Sequence, residues 1–225
     1  MPNSLTYLEL GCSFNHTIDK LPINLTHLKI NSELFNYKIN NLPNNLSYLV
    51  FFEDSNFNQL IDKLPVNLTH LSLGYAFNKP INNLPINLTY LTLDYMFNQP
   101  VNNLPSNLTY LTFGSSFNQS VDNLPSKLTH LTFGENFNNS IINLPNSILK
   151  LSLAVYSNSK ILNNIPEYYK YLEIIFSEAD KTFITNVPFT IKEIVINDKN
   201  KVNLLKKIPF GCIIIDKITR QIISD

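Results

Sequence analysis

The 225-residue chain contains no tryptophan, only two cysteines and five glycines, and no excess of charge of either sign. Two cysteines are too few for a disulfide framework or for a cysteine-rich zinc module. Seventeen basic and seventeen acidic residues give a formal net charge of +0. This balance argues against nucleic-acid binding, because that binding needs a basic face. We therefore expect neither a metal, a cofactor nor a nucleic-acid partner.

Long apolar runs are also missing. None approaches the roughly 18 residues that a membrane-spanning helix requires. The N-terminal stretch MPNSLTYLEL has neither the basic region nor the apolar segment of a secretory signal. We therefore expect no membrane association and a cytoplasmic location. The hydrophobic content of 44% is sufficient for a packed core.

A leucine-proline pair recurs along the chain at steps of 20 to 22 residues. Self-similarity at such a period is the signature of a solenoid. Met1-Pro2 begins a series that divides the chain into ten units and a short remainder. The clear pairs are Leu21-Pro22, Leu42-Pro43, Leu64-Pro65, Leu84-Pro85, Leu104-Pro105, Leu124-Pro125 and Leu144-Pro145, and the weaker ones are Ile165-Pro166, Val187-Pro188 and Ile208-Pro209.

Apolar residues occupy fixed positions within each unit, which we number from the leucine of the leucine-proline pair. In the unit that starts at residue 84, positions 8 to 10 alternate as Leu91, Thr92 and Leu93, which is strand periodicity. A helix is excluded because asparagine is a poor helix former and proline at position 2 would interrupt it. The pattern predicts a mainly β fold with little helix: a parallel solenoid of about ten coils of 20–22 residues, with one short strand per coil near positions 6 to 10.

Two columns of identical residues follow from stacked coils. Phe77, Phe97 and Phe117 share position 14 and should stack along the core. Asparagine, which occurs 34 times in the chain, recurs at position 15. We predict a structural ladder inside the turn, where amide side chains satisfy buried backbone groups; a polar binding surface is the alternative. The predicted ladder residues are Asn78, Asn98, Asn118 and Asn138.

Position 7 should point outward, because position 8 points inward. It carries tyrosine or histidine in most units, and position 9 adds small hydroxyl residues. Tyrosine and similar rings that form hydrogen bonds are favoured interface anchors. The rings could also stack on one another to support the sheet, and the two roles are compatible. The predicted partner-binding residues are Tyr48, His70, Tyr90, Tyr110, His130, Thr92 and Thr112.

The spacing of histidine, serine and threonine along the repeat does not indicate a metal site or an active site. His70 and His130 are three coils apart, so roughly 14 Å separates them, too far to share one zinc ion. Serine and threonine repeat uniformly with the units, whereas an active site needs a nucleophile, a base and an orienting group that converge in one pocket. The chain has no glycine-rich phosphate-binding loop. We therefore predict no catalytic residues, no metal site and no enzymatic activity.

The pattern LPxNLTHLxFGxxFNxxI, with FNKP at 77–80 and FNQP at 97–100, resembles the FNIP repeat family. This family is a short relative of the leucine-rich repeat, found in social amoebae and in giant DNA viruses of amoebae. The resemblance implies an arc with a parallel sheet on its concave side. It is strong over 1–154 and degenerates over 155–225. We therefore expect regular repeats over 1–154, and degenerate repeats with a C-terminal cap of the same solenoid over 155–225.

These observations lead to the hypothesis of a non-catalytic scaffold that binds a protein through the exposed face of its sheet. If the chain is viral, the expected partner is a host protein. One alternative is the substrate-recognition subunit of a ubiquitin ligase; an F-box would have to come from a separate chain, because this one begins inside a repeat. Another is a structural or decoy role without a dedicated partner. We expect a monomer, with an end-to-end dimer through the open first strand as the alternative.

Overall fold

Among the residues that the structure describes, one continuous sheet of twelve strands forms one side of the molecule. The structure is a computed structural model that describes residues 1–155, 165–176, 183–185 and 187–224. Within these ranges the first eleven strands are parallel, follow chain order and come from successive coils. They are β1 (Tyr7–Leu10), β2 (His27–Ile30), β3 (Tyr48–Phe51), β4 (His70–Leu73), β5 (Tyr90–Leu93), β6 (Tyr110–Phe113), β7 (His130–Phe133), β8 (Lys150–Val155), β9 (Tyr171–Phe176), β10 (Glu193–Ile196) and β11 (Ile213–Asp216).

The fold predicted from the repeat is confirmed, because the coils stack in parallel with one short strand each. The register pairs equivalent positions, as Tyr90 faces Tyr110 and Leu91 faces Leu111. In the central coils the strand begins at position 7 rather than position 6. The carbonyl of Thr69 accepts the backbone N–H groups of both Thr89 (2.9 Å) and Tyr90 (3.0 Å), so regular pairing starts only after position 6.

A tight turn at the proline precedes each of the eleven parallel strands. In the fifth coil the carbonyl of Pro85 accepts the N–H of Leu88 at 3.1 Å, and the same bond recurs at the proline of the other coils. Proline therefore opens a turn, where its missing N–H is not needed. Inside this turn, the side chain of Asn87 at position 4 donates to the carbonyl of Val66 in the preceding coil at 3.0 Å.

The core lies behind the sheet and runs the length of the stack. In the fifth coil, the side chains at positions 5, 8, 10 and 14 are all fully buried. The predicted phenylalanine column is confirmed: the rings of Phe77 and Phe97 stack with centroids 6.1 Å apart and planes at 5°, and Phe97 stacks on Phe117 at 6.1 Å. From Phe35 to Phe117, each coil thus buries its position-14 ring between those of its two neighbours.

Gly74, Gly114 and Gly134 occupy position 11, directly after the strand, and lie close to the backbone of the residue at the same position in the preceding coil. A Cβ added to Gly134 would lie 2.4 Å from the carbonyl carbon of Gly114, far inside van der Waals contact. Position 11 of this coil therefore admits no side chain without a shift of the backbone.

The C-terminal end of the sheet departs from the repeat. A twelfth strand, β12 (Ile222–Ser224), pairs antiparallel with β11, and a 3₁₀ helix covers Lys199–Leu204. The antiparallel pairing of β12 was not predicted. The division of the chain at residue 154 stays a prediction, because residues 156–164 lie outside the described ranges. Among the described residues, no helix has the length and apolarity needed to cross a membrane.

Truncation of the core should weaken the whole stack. Leu91→Ala removes a side chain that is fully buried and should cost about 2–5 kcal/mol of unfolding free energy. Ile86→Ala is the matched control, because Ile86 in the same coil is 55% exposed and should change stability by less than about 0.5 kcal/mol. Urea denaturation measures both variants. Equal losses would contradict the assignment of Leu91 to a packed core.

Candidate functional site

A row of aromatic and imidazole rings covers the solvent side of the sheet. We call it the ring row: Tyr7, His27, Tyr48, His70, Tyr90, Tyr110 and His130, one residue at position 7 of each of the first seven coils. Neighbouring rings contact each other throughout, with centroid distances between 4.1 Å for Tyr110–His130 and 6.4 Å for Tyr7–His27. Tyr90 and Tyr110 are nevertheless 37% and 41% exposed. The rings therefore support one another and still present their edges to solvent.

Hydroxyl groups at position 6 form a second row, which sequence reasoning missed. Thr89 Oγ1 donates to the carbonyl of Thr69 at 3.1 Å, and Thr109 Oγ1 donates to the carbonyl of Thr89 at 3.0 Å. The signal was visible in the sequence, because position 6 is threonine or serine in consecutive units. The members that donate in this way are Thr26, Ser47, Thr69, Thr89, Thr109 and Thr129.

Where the ring row carries histidine, the position-6 hydroxyl also contacts the imidazole. Thr69 Oγ1 lies 2.8 Å from His70 Nδ1, and Thr129 Oγ1 lies 2.9 Å from His130 Nδ1. Burial, followed by the charge of Lys150, lowers the pKa of His130 below its ordinary value. The imidazole of His130 is therefore neutral over a wider pH range than that of a solvated histidine.

Three cavities lie along this face of the sheet. The first, of about 410 Å³, is lined among others by Tyr48, Tyr90 and Thr92. The second, of about 130 Å³, is lined by Tyr90, Tyr110, Thr112 and His130. The third, of about 250 Å³, lies beside His130 and Lys150 near the C-terminal end.

Of the predicted face residues, all but His70 line at least one of these three cavities. His70 lies in the ring row between Tyr48 and Tyr90, with centroid distances of 5.4 and 5.6 Å. Thr92 and Thr112 at position 9 are half-buried. The structure therefore brings the predicted residues together on one continuous surface.

A buried carboxylate closes the C-terminal end of this face. Glu173 occupies position 9 of its coil, yet its side chain is only 5% exposed. Its Oε2 lies 2.9 Å from Lys150 Nζ and accepts a hydrogen bond from Ser152, and its Oε1 lies 2.8 Å from Lys217 Nζ. Oε1 accepts no well-aligned hydrogen bond, so its contact with Lys217 is ionic. Sequence reasoning could not find this cluster, because Lys217 reaches Glu173 from a different coil.

The Glu173 cluster makes stability depend on pH. Burial raises the pKa of this carboxyl, but Lys217, Ser152 and Lys150 outweigh burial and lower the pKa to about 2. The unfolded pKa is about 4.3, so the stabilisation is fully present above that pH. It is lost as the pH falls from about 4.3 to about 2.

Glu173→Gln should remove this part of the acid sensitivity. The expected result is a smaller difference in unfolding free energy between pH 7 and pH 3 than in the unaltered protein, measured by urea denaturation. Glu193→Gln is the control, because in the described part of the chain Glu193 forms no ion pair within 4 Å. A Glu173→Gln variant with unchanged acid sensitivity would contradict the assignment.

The position-15 asparagines form hydrogen bonds from coil to coil. Asn78 Oδ1 accepts the backbone N–H of Asn98 at 3.0 Å, and Asn98 Oδ1 accepts that of Asn118 at 2.9 Å. Asn118 Oδ1 likewise accepts the N–H of Asn138 at 2.9 Å. The expected buried location is wrong: Asn98, Asn118 and Asn138 are exposed and Asn78 is half-buried. The reason is that the preceding phenylalanine points into the core, which directs the asparagine outward.

Because this ladder is exposed, its loss should be mild. Asn98→Ala removes the acceptor for two groups, the N–H of Asn118 and the amide of Gln119 (both 2.9 Å), and should cost about 1 kcal/mol. Asn98→Asp keeps an acceptor oxygen and should cost less. Thermal melts of the two variants measure the difference. Equal losses would show that the acceptor contributes nothing.

The described residues contain no group of three His, Cys, Asp or Glu side chains placed to hold a metal ion. What they do contain is a parallel stack of coils with one strand per coil and a solvent-facing sheet. These features define a repeat scaffold of the leucine-rich-repeat type.

The profile described as "FNIP Repeat" matches residues 1–33, 57–95, 81–116, 97–136 and 117–154, more than half of the chain. The chain belongs to the FNIP repeat family, and the resemblance seen in the sequence is confirmed. No match is found among curated proteins.

Among solved structures, the chain is similar to CroV588 of a giant virus, which is described as a novel circular LRR protein. The two are 38% identical over 96% of this chain, with a TM-score of 0.75. The chain spans 38% of the length of that structure. YopM from Yersinia enterocolitica WA-314 is 20% identical over 88% of this chain and 52% of its own, with a TM-score of 0.46, too low to support an argument.

Proposed function

We propose that the protein is a non-catalytic scaffold that binds a protein partner through the solvent face of its sheet. The single observation that carries this proposal is the ring row, which is continuous from Tyr7 to His130 and lies beside three cavities. A rigid row of rings binds at low entropic cost, because its side chains are already held in place by stacking.

The chemistry of the central face favours polar and apolar contacts over ion pairs. Six charged residues occur between residues 64 and 154, and of these Asp94 and Lys150 line the cavities of the face. The other charged residues that line these cavities come from the coils on either side: Lys29, Glu53, Glu173, Glu193 and Arg220. Tyrosine and histidine offer both apolar ring surface and hydrogen-bonding groups. We therefore infer that binding depends only weakly on salt concentration. By similarity to CroV588 of a giant virus, we propose that the partner is a host protein and that binding occurs in the cytoplasm.

The test is partner capture with a double variant of the ring row. Tyr90→Ala with Tyr110→Ala should reduce the retained partner about tenfold or more, because central aromatic anchors dominate interface energy. The matched control is Tyr75→Ala with Tyr95→Ala. These two tyrosines come from adjacent coils, stack at 4.8 Å and are 40% and 43% exposed, but they line none of the three cavities of this face.

Affinity purification followed by quantitative mass spectrometry measures retention, and thermal melts verify that both double variants fold. Equal loss of partner from the two variants would contradict binding at the sheet face. Retention of no specific protein by the unaltered chain would favour the structural or decoy role instead.

A further inference from the structure

Three histidines of the ring row share a contact that bears on which nitrogen of the neutral ring carries the proton. The threonine hydroxyl at position 6 lies within hydrogen-bond distance of two groups at once. For Thr69 these are the carbonyl of Ser47 at 3.0 Å and the Nδ1 of His70 at 2.8 Å. The same pair of contacts occurs at Thr26 with His27, at 3.0 and 2.9 Å, and at Thr129 with His130, at 3.1 and 2.9 Å.

Counting protons decides which atom donates. A hydroxyl has one proton and can also accept, whereas a carbonyl oxygen can only accept. If Thr69 donated its proton to His70, its oxygen would lie 3.0 Å from the Ser47 carbonyl with no proton between two acceptors. The hydroxyl therefore donates to the carbonyl, and Nδ1 must carry a proton to donate to the hydroxyl.

Coils without histidine support this assignment. Thr89 and Thr109 precede tyrosines, so their hydroxyls have no imidazole beside them. They still donate to the carbonyl of the preceding coil, at 3.1 and 3.0 Å. The distance from the threonine hydroxyl to the carbonyl is 3.0–3.1 Å with and without histidine, which supports donation to the carbonyl in both kinds of coil.

We propose that Thr26, Thr69 and Thr129 are positioning residues that hold His27, His70 and His130 as the Nδ1–H tautomer, so that the sheet face presents Nε2 lone pairs to a partner rich in hydrogen-bond donors. The neutral ring then has an unprotonated Nε2 on the side away from the threonine. Within the described residues, Nε2 of these three histidines has no hydrogen-bond partner. The partner chemistry rests on the proposed function, whereas the tautomer does not.

In this tautomer the histidines of the sheet face can only accept hydrogen bonds at Nε2. Tyrosine hydroxyls can donate or accept, but an Nε2 lone pair can only accept. A partner that places a backbone N–H, a hydroxyl or a side-chain amide against these histidines satisfies them. A partner that places a carbonyl oxygen against the neutral ring leaves two acceptors facing each other, at a desolvation cost. The histidines therefore select partners by donor groups.

The tautomer can be read directly in the free protein. Long-range ¹H–¹⁵N correlation spectra, recorded on the full chain at a pH where the histidines are neutral, separate protonated from unprotonated ring nitrogens. We expect a protonated Nδ1 and an unprotonated Nε2 for His27, His70 and His130. His16 is the internal reference, because it is exposed and its recorded contact is with the ring of Phe14. A protonated Nε2 in the three ring-row histidines would overturn the proposal.

Variants of Thr69 separate positioning from stability. Thr69→Val removes the acceptor and should shift His70 toward the Nε2–H form, whereas Thr69→Ser should retain the Nδ1–H form. Thr109→Val is the matched control, because it removes an equivalent bond to a carbonyl without a histidine in its coil. If His70 keeps the Nδ1–H form in folded Thr69→Val, or loses it in folded Thr109→Val, the positioning role is excluded.

Partner capture tests whether the histidines select a partner through its hydrogen-bond donors. Thr69→Val should reduce retention about fivefold, which corresponds to one hydrogen bond of about 1 kcal/mol, while Thr69→Ser and Thr109→Val should retain the partner. Equal retention by Thr69→Val and Thr109→Val would overturn selection by donor groups, even if the spectra show the tautomer. The spectra are recorded without a partner, so they test the tautomer even if the proposed function is wrong. A failure of the tautomer assignment and a failure of partner binding are therefore distinguishable.

Discussion

Backbone and side-chain donors of each coil find their acceptors in the preceding coil. The backbone N–H of Asn98 donates to the side chain of the equivalent Asn78, and the Thr89 hydroxyl donates to the carbonyl of the equivalent Thr69. Strand N–H groups cross in the same direction, as the N–H of Tyr90 does to the carbonyl of Thr69. No coil can satisfy these groups alone, and no coil can bury its own phenylalanine. The constraint on which the fold depends is therefore the register of equivalent positions between neighbouring coils, which coils of 20, 21 and 22 residues all preserve.

The same constraint produces the candidate binding face. Identical positions in register place Tyr48, His70, Tyr90, Tyr110 and His130 next to one another, so that stacking and exposure coexist in one row. The residue types of the ring row change only where the repeat sequence itself changes. At the C-terminal end lysine replaces the ring at position 7, and Glu173 is enclosed by cations.

The period of leucine, phenylalanine and proline was sufficient to predict the coils, the strands and the phenylalanine column, because these depend on burial patterns that the sequence displays directly. The location of Asn98 was wrong, because a row of hydrogen bonds can form at the surface as well as inside a turn. Lys217 beside Glu173, and the antiparallel β12, could not be predicted. Both depend on how the chain folds back at its end, where the repeat no longer constrains it.

Distances between spin labels test the stacking of coils most directly. Position 3 is exposed at Ile23, Val66, Ile86, Ser106 and Ser126, so a label at Ile23 can be paired with each of the others in turn after Cys12→Ser. The account predicts that the distance increases with every further coil by about 4.8 Å, the spacing of neighbouring strands. Distances that fail to increase in coil order from Val66 to Ser126 would contradict it.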